Sequence, residues 1–200
     1  MFYREAGQYK TSYAADQALF PILQDKVGML LILFAAYFLV PLFASNFVID
    51  SIFIPVLVLS LAAIGLNLLT GYTGLLSLGT GGFMGIGAFA CYKLSTYFPG
   101  INIIVLIICS GFFSAAVGAL FGLPSLRIKG FYLAVATLAS QFFLSWCFIR
   151  VPWLYNYNVS ASIEVPSRTL FGLPVTGPNA TSITRYVIVL TIVTVMTALV

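Results

Sequence analysis

The chain alternates between long apolar runs and short polar breaks. The runs lie near Val27–Ser45, Ile52–Thr70, Gly82–Tyr97, Ile101–Leu123, Phe131–Ile149 and Tyr186–Val200. A helix that crosses a bilayer needs about 20 mostly apolar residues. The pattern therefore predicts an all-α fold, a polytopic membrane helix bundle of about six spans. The last run stops in mid-helix without a polar flank, which predicts a transmembrane domain that is incomplete at its carboxy terminus.

One segment does not fit continuous helix. Leu66–Ala90, LNLLTGYTGLLSLGTGGFMGIGAFA, carries seven of the seventeen glycines of the chain. An unpaired backbone N–H or C=O in lipid costs several kcal/mol, so irregular backbone at membrane depth must be shielded by protein or line a cavity. The expectation is a glycine-rich broken or re-entrant segment near 71–82 that lines a pathway. Its candidate lining residues are Asn67, Gly71, Tyr72, Gly74, Ser77, Gly79 and Thr80, joined by Gln141 from the fifth run.

Other polar groups inside the runs are few. Asn67 and Gln141 carry amides that need partners and are expected to face the protein interior, as a structural interhelix hydrogen bond or as a substrate-path contact. Thr137 and Ser140 are weaker signals, because hydroxyls can bond back to their own helix. Lys93 lies near the end of its run and is expected to snorkel. Small residues at Ser110, Ser114, Gly118 and Gly122 repeat every fourth position along one face of the fourth run, with Gly111, Ala115 and Ala119 beside them; Gly81 and Gly85 repeat the spacing. Such faces allow close helix packing, either within the chain or against another subunit.

The first 26 residues are polar and of mixed charge, and too long before too long a run for a secretory signal. They predict a cytoplasmic amino-terminal tail (1–26) ahead of the transmembrane domain (27–200). With the amino terminus inside, Arg4, Lys10, Lys26 and the basic loop Arg127 and Lys129 are cytoplasmic. Arg150–Arg185 then forms an outer loop, whose prolines and glycines argue against long regular structure.

Composition narrows the function. Hydrophobic residues make up 61% of the chain and charged residues 7%, against about 25% charged in soluble domains. There is no histidine, which removes histidine-based catalysis, metal sites and proton relays. The three cysteines have no metal-ligand spacing and read as buried small hydrophobes. No metal, cofactor or nucleic acid is expected. No Asp or Glu lies within the runs, which argues against a proton-driven carrier, and there is no phosphate-loop motif for nucleotide hydrolysis. Any pumping needs another polypeptide. A stand-alone channel or facilitator for a small polar solute is the alternative.

Gly65–Ala90, GLNLLTGYTGLLSLGTGGFMGIGAFA, closely resembles the signature of the branched-chain amino-acid permeases of ATP-binding-cassette transporters. Gly122–Leu138, GLPSLRIKGFYLAVATL, resembles a second motif of that family. The tail and first run are similar to the M-type subunit. The family usually has histidine where this chain has Thr80. The resemblance implies a nonenzymatic permease subunit of a bacterial inner-membrane importer for branched-chain or other small amino acids. Its implied partners are a second homologous permease, two ATP-binding subunits that hydrolyse ATP, a periplasmic solute-binding protein and membrane lipid.

Overall fold

A computed structural model of the chain describes residues 23–74, 77–125, 131–157, 163, 165–170, 173–177 and 180–200. The basic loop residues Arg127 and Lys129, and nearly all of the proposed tail, lie outside the described residues. The chain divides into two compact units, Met1–Ser45 and Asn46–Val200.

In the first unit, helix α1 (Leu23–Phe34) continues through a π-helical turn, Ala35–Leu39, into a short helix, Val40–Phe43. Val40 N–H bonds Ala35 O, five residues back. The cause is Pro41, which has no N–H and whose ring crowds the carbonyl four residues earlier; widening the turn relieves the crowding. The second unit repeats the device. A π-helical turn at Ile49–Phe53, closed by Ile54 N–H on Ile49 O, precedes Pro55 and leads into α2 (Ile54–Thr73).

The remaining helices are α3 (Thr80–Tyr97), α4 (Ile103–Ser125), α5 (Phe131–Arg150) and α6 (Ser182–Leu199). Among the described residues, five helical stretches are long and apolar enough to cross a membrane: Gln24–Phe43, Asn46–Thr73, Ile103–Gly122, Tyr132–Arg150 and Ser182–Leu199. The chain is a multi-pass helical membrane protein. α3, the third of the expected spans, is helical but less apolar than the rest. Four glycines and Lys93 lower its hydropathy, and it compensates by being packed on both flanks. α6 begins four residues earlier than hydropathy suggested, because Ser182, Thr184 and Arg185 are polar yet helical.

α3 lies between α4 and α5, and α6 packs on α2. On the α5 side, a Cβ at Gly82 would stand 3.2 Å from Gln141 Cα and 3.0 Å from Leu144 Cδ1, and one at Gly85 would stand 2.5 Å from a Phe148 ring carbon. Phe89 continues this face, stacked on Phe148 at 4.7 Å. On the α4 side, Ser114 Oγ donates to Phe83 O at 2.8 Å, and Gly118 faces the Phe83 ring. Ser110 hydrogen-bonds Cys91 and donates to Ile107 O. The small-residue row of α4 is thus a packing face within the chain as far as Gly118; a Cβ at Gly122 would meet nothing within 4 Å. The neighbouring row, Gly111, Ala115 and Ala119, is exposed.

The described part of the outer loop holds only short regular elements: Pro152–Tyr155 forms a 3-10 turn, and β1 (Arg168–Leu170) pairs antiparallel with β2 (Leu173–Thr176). Pro174 is tolerated because a two-stranded sheet has only edges. Lys93 does not snorkel. It is buried, donates to Asn156 Oδ1, and sits 4.3 Å from the centre of the Trp153 ring, while Asn156 Nδ2 donates to Tyr92 Oη at 2.7 Å. A cysteine expectation also fails: Cys109 is exposed, which an apolar side chain on a lipid-facing helix tolerates.

Arg168 ties the hairpin to α3. Its buried guanidinium donates to Phe98 O at 3.0 Å, to the carbonyls of Ser95 and Pro99, and to Ser95 Oγ at 3.3 Å. Ser95 O lies in the last turn of α3, where a helix leaves carbonyls without intrahelical donors, and Phe98 and Pro99 follow directly after it. The negative end of the helix dipole favours a cation there. Ser182 Oγ donates to Asp50 Oδ2 at 2.6 Å, and Phe53 meets Tyr186 edge-on at 5.9 Å. The start of α6 is therefore joined to the start of α2. Arg168→Met should destabilise the chain by about 3 kcal/mol, with Arg168→Lys intermediate. Denaturant unfolding in bicelles measures this, and an unchanged midpoint in the Met variant would refute the role.

Candidate functional site

The glycine-rich segment is broken, over a shorter stretch than expected. α2 runs helically through Gly71 and Tyr72 and ends at Thr73. Gly74 then adopts φ +65° and its N–H bonds Thr70 O at 3.0 Å. This left-handed C-cap is a conformation that glycine takes without steric cost. Ser77, Leu78 and Gly79 are also non-helical, and α3 begins at Thr80, so Gly81 and Gly82 are helical. The break covers Gly74–Gly79, of which Leu75 and Leu76 lie outside the described residues.

The backbone of the break is paired by side chains. Leu78 N–H donates to Thr137 Oγ1 on α5 at 2.9 Å, and that hydroxyl donates to Ala134 O, also at 2.9 Å. Gly79 N–H donates to Ser77 Oγ at 3.4 Å. Gly79 O accepts from Gly82 N–H and Phe83 N–H, which starts α3. Gly79 is buried against α5: a Cβ there would lie 2.8 Å from Thr137 O. That neighbour is a carbonyl, which cannot rotate away as a side chain can. Thr137 thus meets the break twice, with its hydroxyl and its backbone.

The candidate pathway residues divide into two groups. Gly79 and Gln141 lie at the α3–α5 contact, with the Gln141 amide 3.5–3.6 Å from where a Gly81 Cβ would be, and Thr80 is the first residue of α3. Ser77 links to this group through Gly79. Asn67, Gly71, Tyr72 and Gly74 are instead exposed on α2 and its cap, Tyr72 at 84%. Asn67 therefore does not face the interior of this chain, contrary to expectation. α2 touches α3 only slightly, which leaves that face uncovered. Thr137 is the residue that sequence reasoning undervalued. Its hydroxyl does bond its own helix, the reason for discounting it, and it also accepts from Leu78.

No cluster of three or more His, Cys, Asp or Glu residues that could hold a metal ion occurs among the described residues. What the arrangement offers is a short unwound element, braced by one helix and exposed on the preceding one.

Comparison with known proteins adds the family context. A family model described as the permease component of the branched-chain amino acid transport system matches residues 48–200. The high-affinity branched-chain amino acid transport system permease protein LivM of Salmonella typhimurium LT2 is 38% identical over 114 residues, 55% of this chain and 25% of that protein. LivM of Escherichia coli K12 is 37% identical over the same share. The chain thus matches about a quarter of the length of these relatives. No solved structure matches it. Thr137→Val, which keeps the shape and removes the hydroxyl, should speed amide hydrogen exchange at Leu78 about tenfold. Exchange at the wild-type rate would show that the hydroxyl does not hold the break.

Proposed function

We propose that this chain, which belongs to the branched-chain amino acid transport system permease family, is the transmembrane permease subunit of an ATP-binding-cassette importer for branched-chain or other small amino acids. The observation that carries this reading is the break between α2 and α3: non-helical backbone at Gly74 and Ser77–Gly79 beside an exposed helix end, in a chain with no phosphate loop whose membrane-length helices carry carboxylates only near their starts, Asp25 and Asp50. The names of the LivM relatives support the substrate class.

On this reading ATP is hydrolysed by two separate ATP-binding subunits, a second homologous permease completes the pathway, and a periplasmic solute-binding protein delivers the solute. The protein resides in a bacterial inner membrane with residues 1–26 and the loop bearing Arg127 and Lys129 in the cytoplasm, and residues 27–200 form the permease domain. Asn67, Gly71, Tyr72, Gly74 and Ser77 are the pathway residues. Gly79, Thr80 and Gln141 complete the pathway set from the start of α3 and from α5, and Gly81, Gly85, Ser110, Ser114, Gly118 and Gly122 serve packing.

Transport in proteoliposomes tests the proposal, using the full-length protein purified with the subunits that accompany it. Labelled leucine, isoleucine or valine should accumulate above the outside concentration with ATP, and a nonhydrolysable analogue should stop accumulation. Equilibration that ignores the nucleotide would identify a facilitator and overturn the importer reading. Gly79→Leu should abolish accumulation while the complex still migrates intact on native gels; normal uptake by that variant would remove the break from the mechanism.

A further inference from the structure

α3 and α5 run parallel, because contacts that advance along one helix advance along the other. Gly79 lies against Thr137, Gly82 against Gln141 and Leu144, and Gly85 against Phe148. Thr137 stands six residues after the start of α5 at Phe131, so about 9 Å of α5 continues past the level of Gly79. The end of the break is thus seated on the side of α5, at its second turn, and not at its tip.

Two oxygens of Thr137 form the seat. Oγ1 accepts from Leu78 N–H at 2.9 Å and gives its own proton to Ala134 O, also at 2.9 Å. The second bond fixes the side chain's rotamer, so a lone pair stays aimed at the Leu78 amide. The Thr137 carbonyl closes on Gly79 so tightly that a Cβ there would stand 2.8 Å from the oxygen. Ser77 Oγ in turn accepts from Gly79 N–H at 3.4 Å. That bond uses a lone pair of the serine and leaves its O–H to donate. The place of Ser77 is therefore set through Leu78 and Gly79, both of which Thr137 holds. Ser140, three residues further along α5, gives a contrast: its hydroxyl donates to Ala136 O of its own helix at 3.0 Å.

We propose, resting on the reading of Ser77 as a pathway residue, that Thr137 is a positioning residue: it holds the break so that the Ser77 hydroxyl is presented to the passing solute. Thr137→Val fills the same space but leaves Leu78 N–H without its acceptor, so the seated conformation becomes one of several. A solute that binds only the seated form then shows an affinity lowered by the fraction of protein in that form. The maximal rate is kept, because bound solute holds the seated form. A role in stability alone would instead leave fewer intact complexes, a lower maximal rate and an unchanged KM.

Uptake of labelled leucine into proteoliposomes that hold the full-length protein and the subunits purified with it tests the proposal. Thr137→Val should raise KM about fivefold, the effect of one lost hydrogen bond, with the maximal rate within about twofold of wild type. Thr137→Ser, which keeps the hydroxyl, should show the wild-type KM. Ser140→Ala, which removes a hydroxyl bonded to its own helix, should show it too. Should Thr137→Val fail to assemble on native gels, Thr137→Ala, which also lacks the hydroxyl, takes its place. A wild-type KM without the hydroxyl, or a raised one in Thr137→Ser, would overturn the proposal. Wild-type vesicles that equilibrate leucine without ATP would instead remove the importer reading and leave the KM comparison standing. No wild-type flux under any condition would overturn both, since there is then no solute for Ser77 to meet.

Discussion

α3 is packed at backbone distance against helices on both flanks, and most of the second unit is arranged around that fact. Lipid tails are as apolar as leucine, so nothing like water exclusion presses one membrane helix on another; close van der Waals fit and hydrogen bonds must do it. Gly82 and Gly85 remove the side chains that would keep α5 away, and Gln141, Leu144 and Phe148 fill the space. On the opposite flank Ser114 brings a hydroxyl onto the Phe83 carbonyl. α3 can therefore be less apolar than its neighbours and still be the most enclosed helix, because contact takes the place of hydropathy.

The two ends of α3 solve the same problem in different ways. At the beginning, the backbone leaves helical geometry and its donors go to hydroxyls, Leu78 to Thr137 and Gly79 to Ser77. At its end, the orphan carbonyls are taken by one guanidinium from a strand some 70 residues away in sequence. Lys93, one turn inside that end, is held by an amide and an aromatic ring. Each solution follows from the rule that polar groups without water must find protein partners. Together they fix α3 along its axis: Arg168 anchors one end and Thr137 the other.

Much of this was legible from the sequence, and the failures have physical causes. The helices and the break follow from hydropathy and glycine, both local properties. The boundaries of the break did not: glycine marks both unwound backbone and close packing, so Gly71, Gly81 and Gly82 were assigned to the break although they are helical. The second pattern, small residues at fourth positions, does not encode its partner: Ser114 and Gly118 meet Phe83 within the chain but would look the same against a second subunit. Lys93, Asn156 and Arg168 were not legible as a cluster. Their contacts join residues more than sixty positions apart, and neither hydropathy nor spacing encodes such pairs. The hairpin at Arg168 was hidden by prolines that an edge strand accommodates.

The division of the candidate residues constrains how the proposed pathway runs. Between α3 and α4, and between α3 and α5, side chains and backbone already touch, so solute passing through either contact would have to separate surfaces that hold the unit together. The exposed end of α2 has no such obstacle. Asn67, Gly71 and Tyr72 sit there with polar and small groups facing outward, directly before the unwound stretch. A pathway along that face asks α3 only to stay rigid. Because Thr137 contacts the break through both its hydroxyl and its backbone, a shift of α5 would move Leu78 and Gly79 together. The unwound element would then respond to α5 as a unit while α3 keeps its packing.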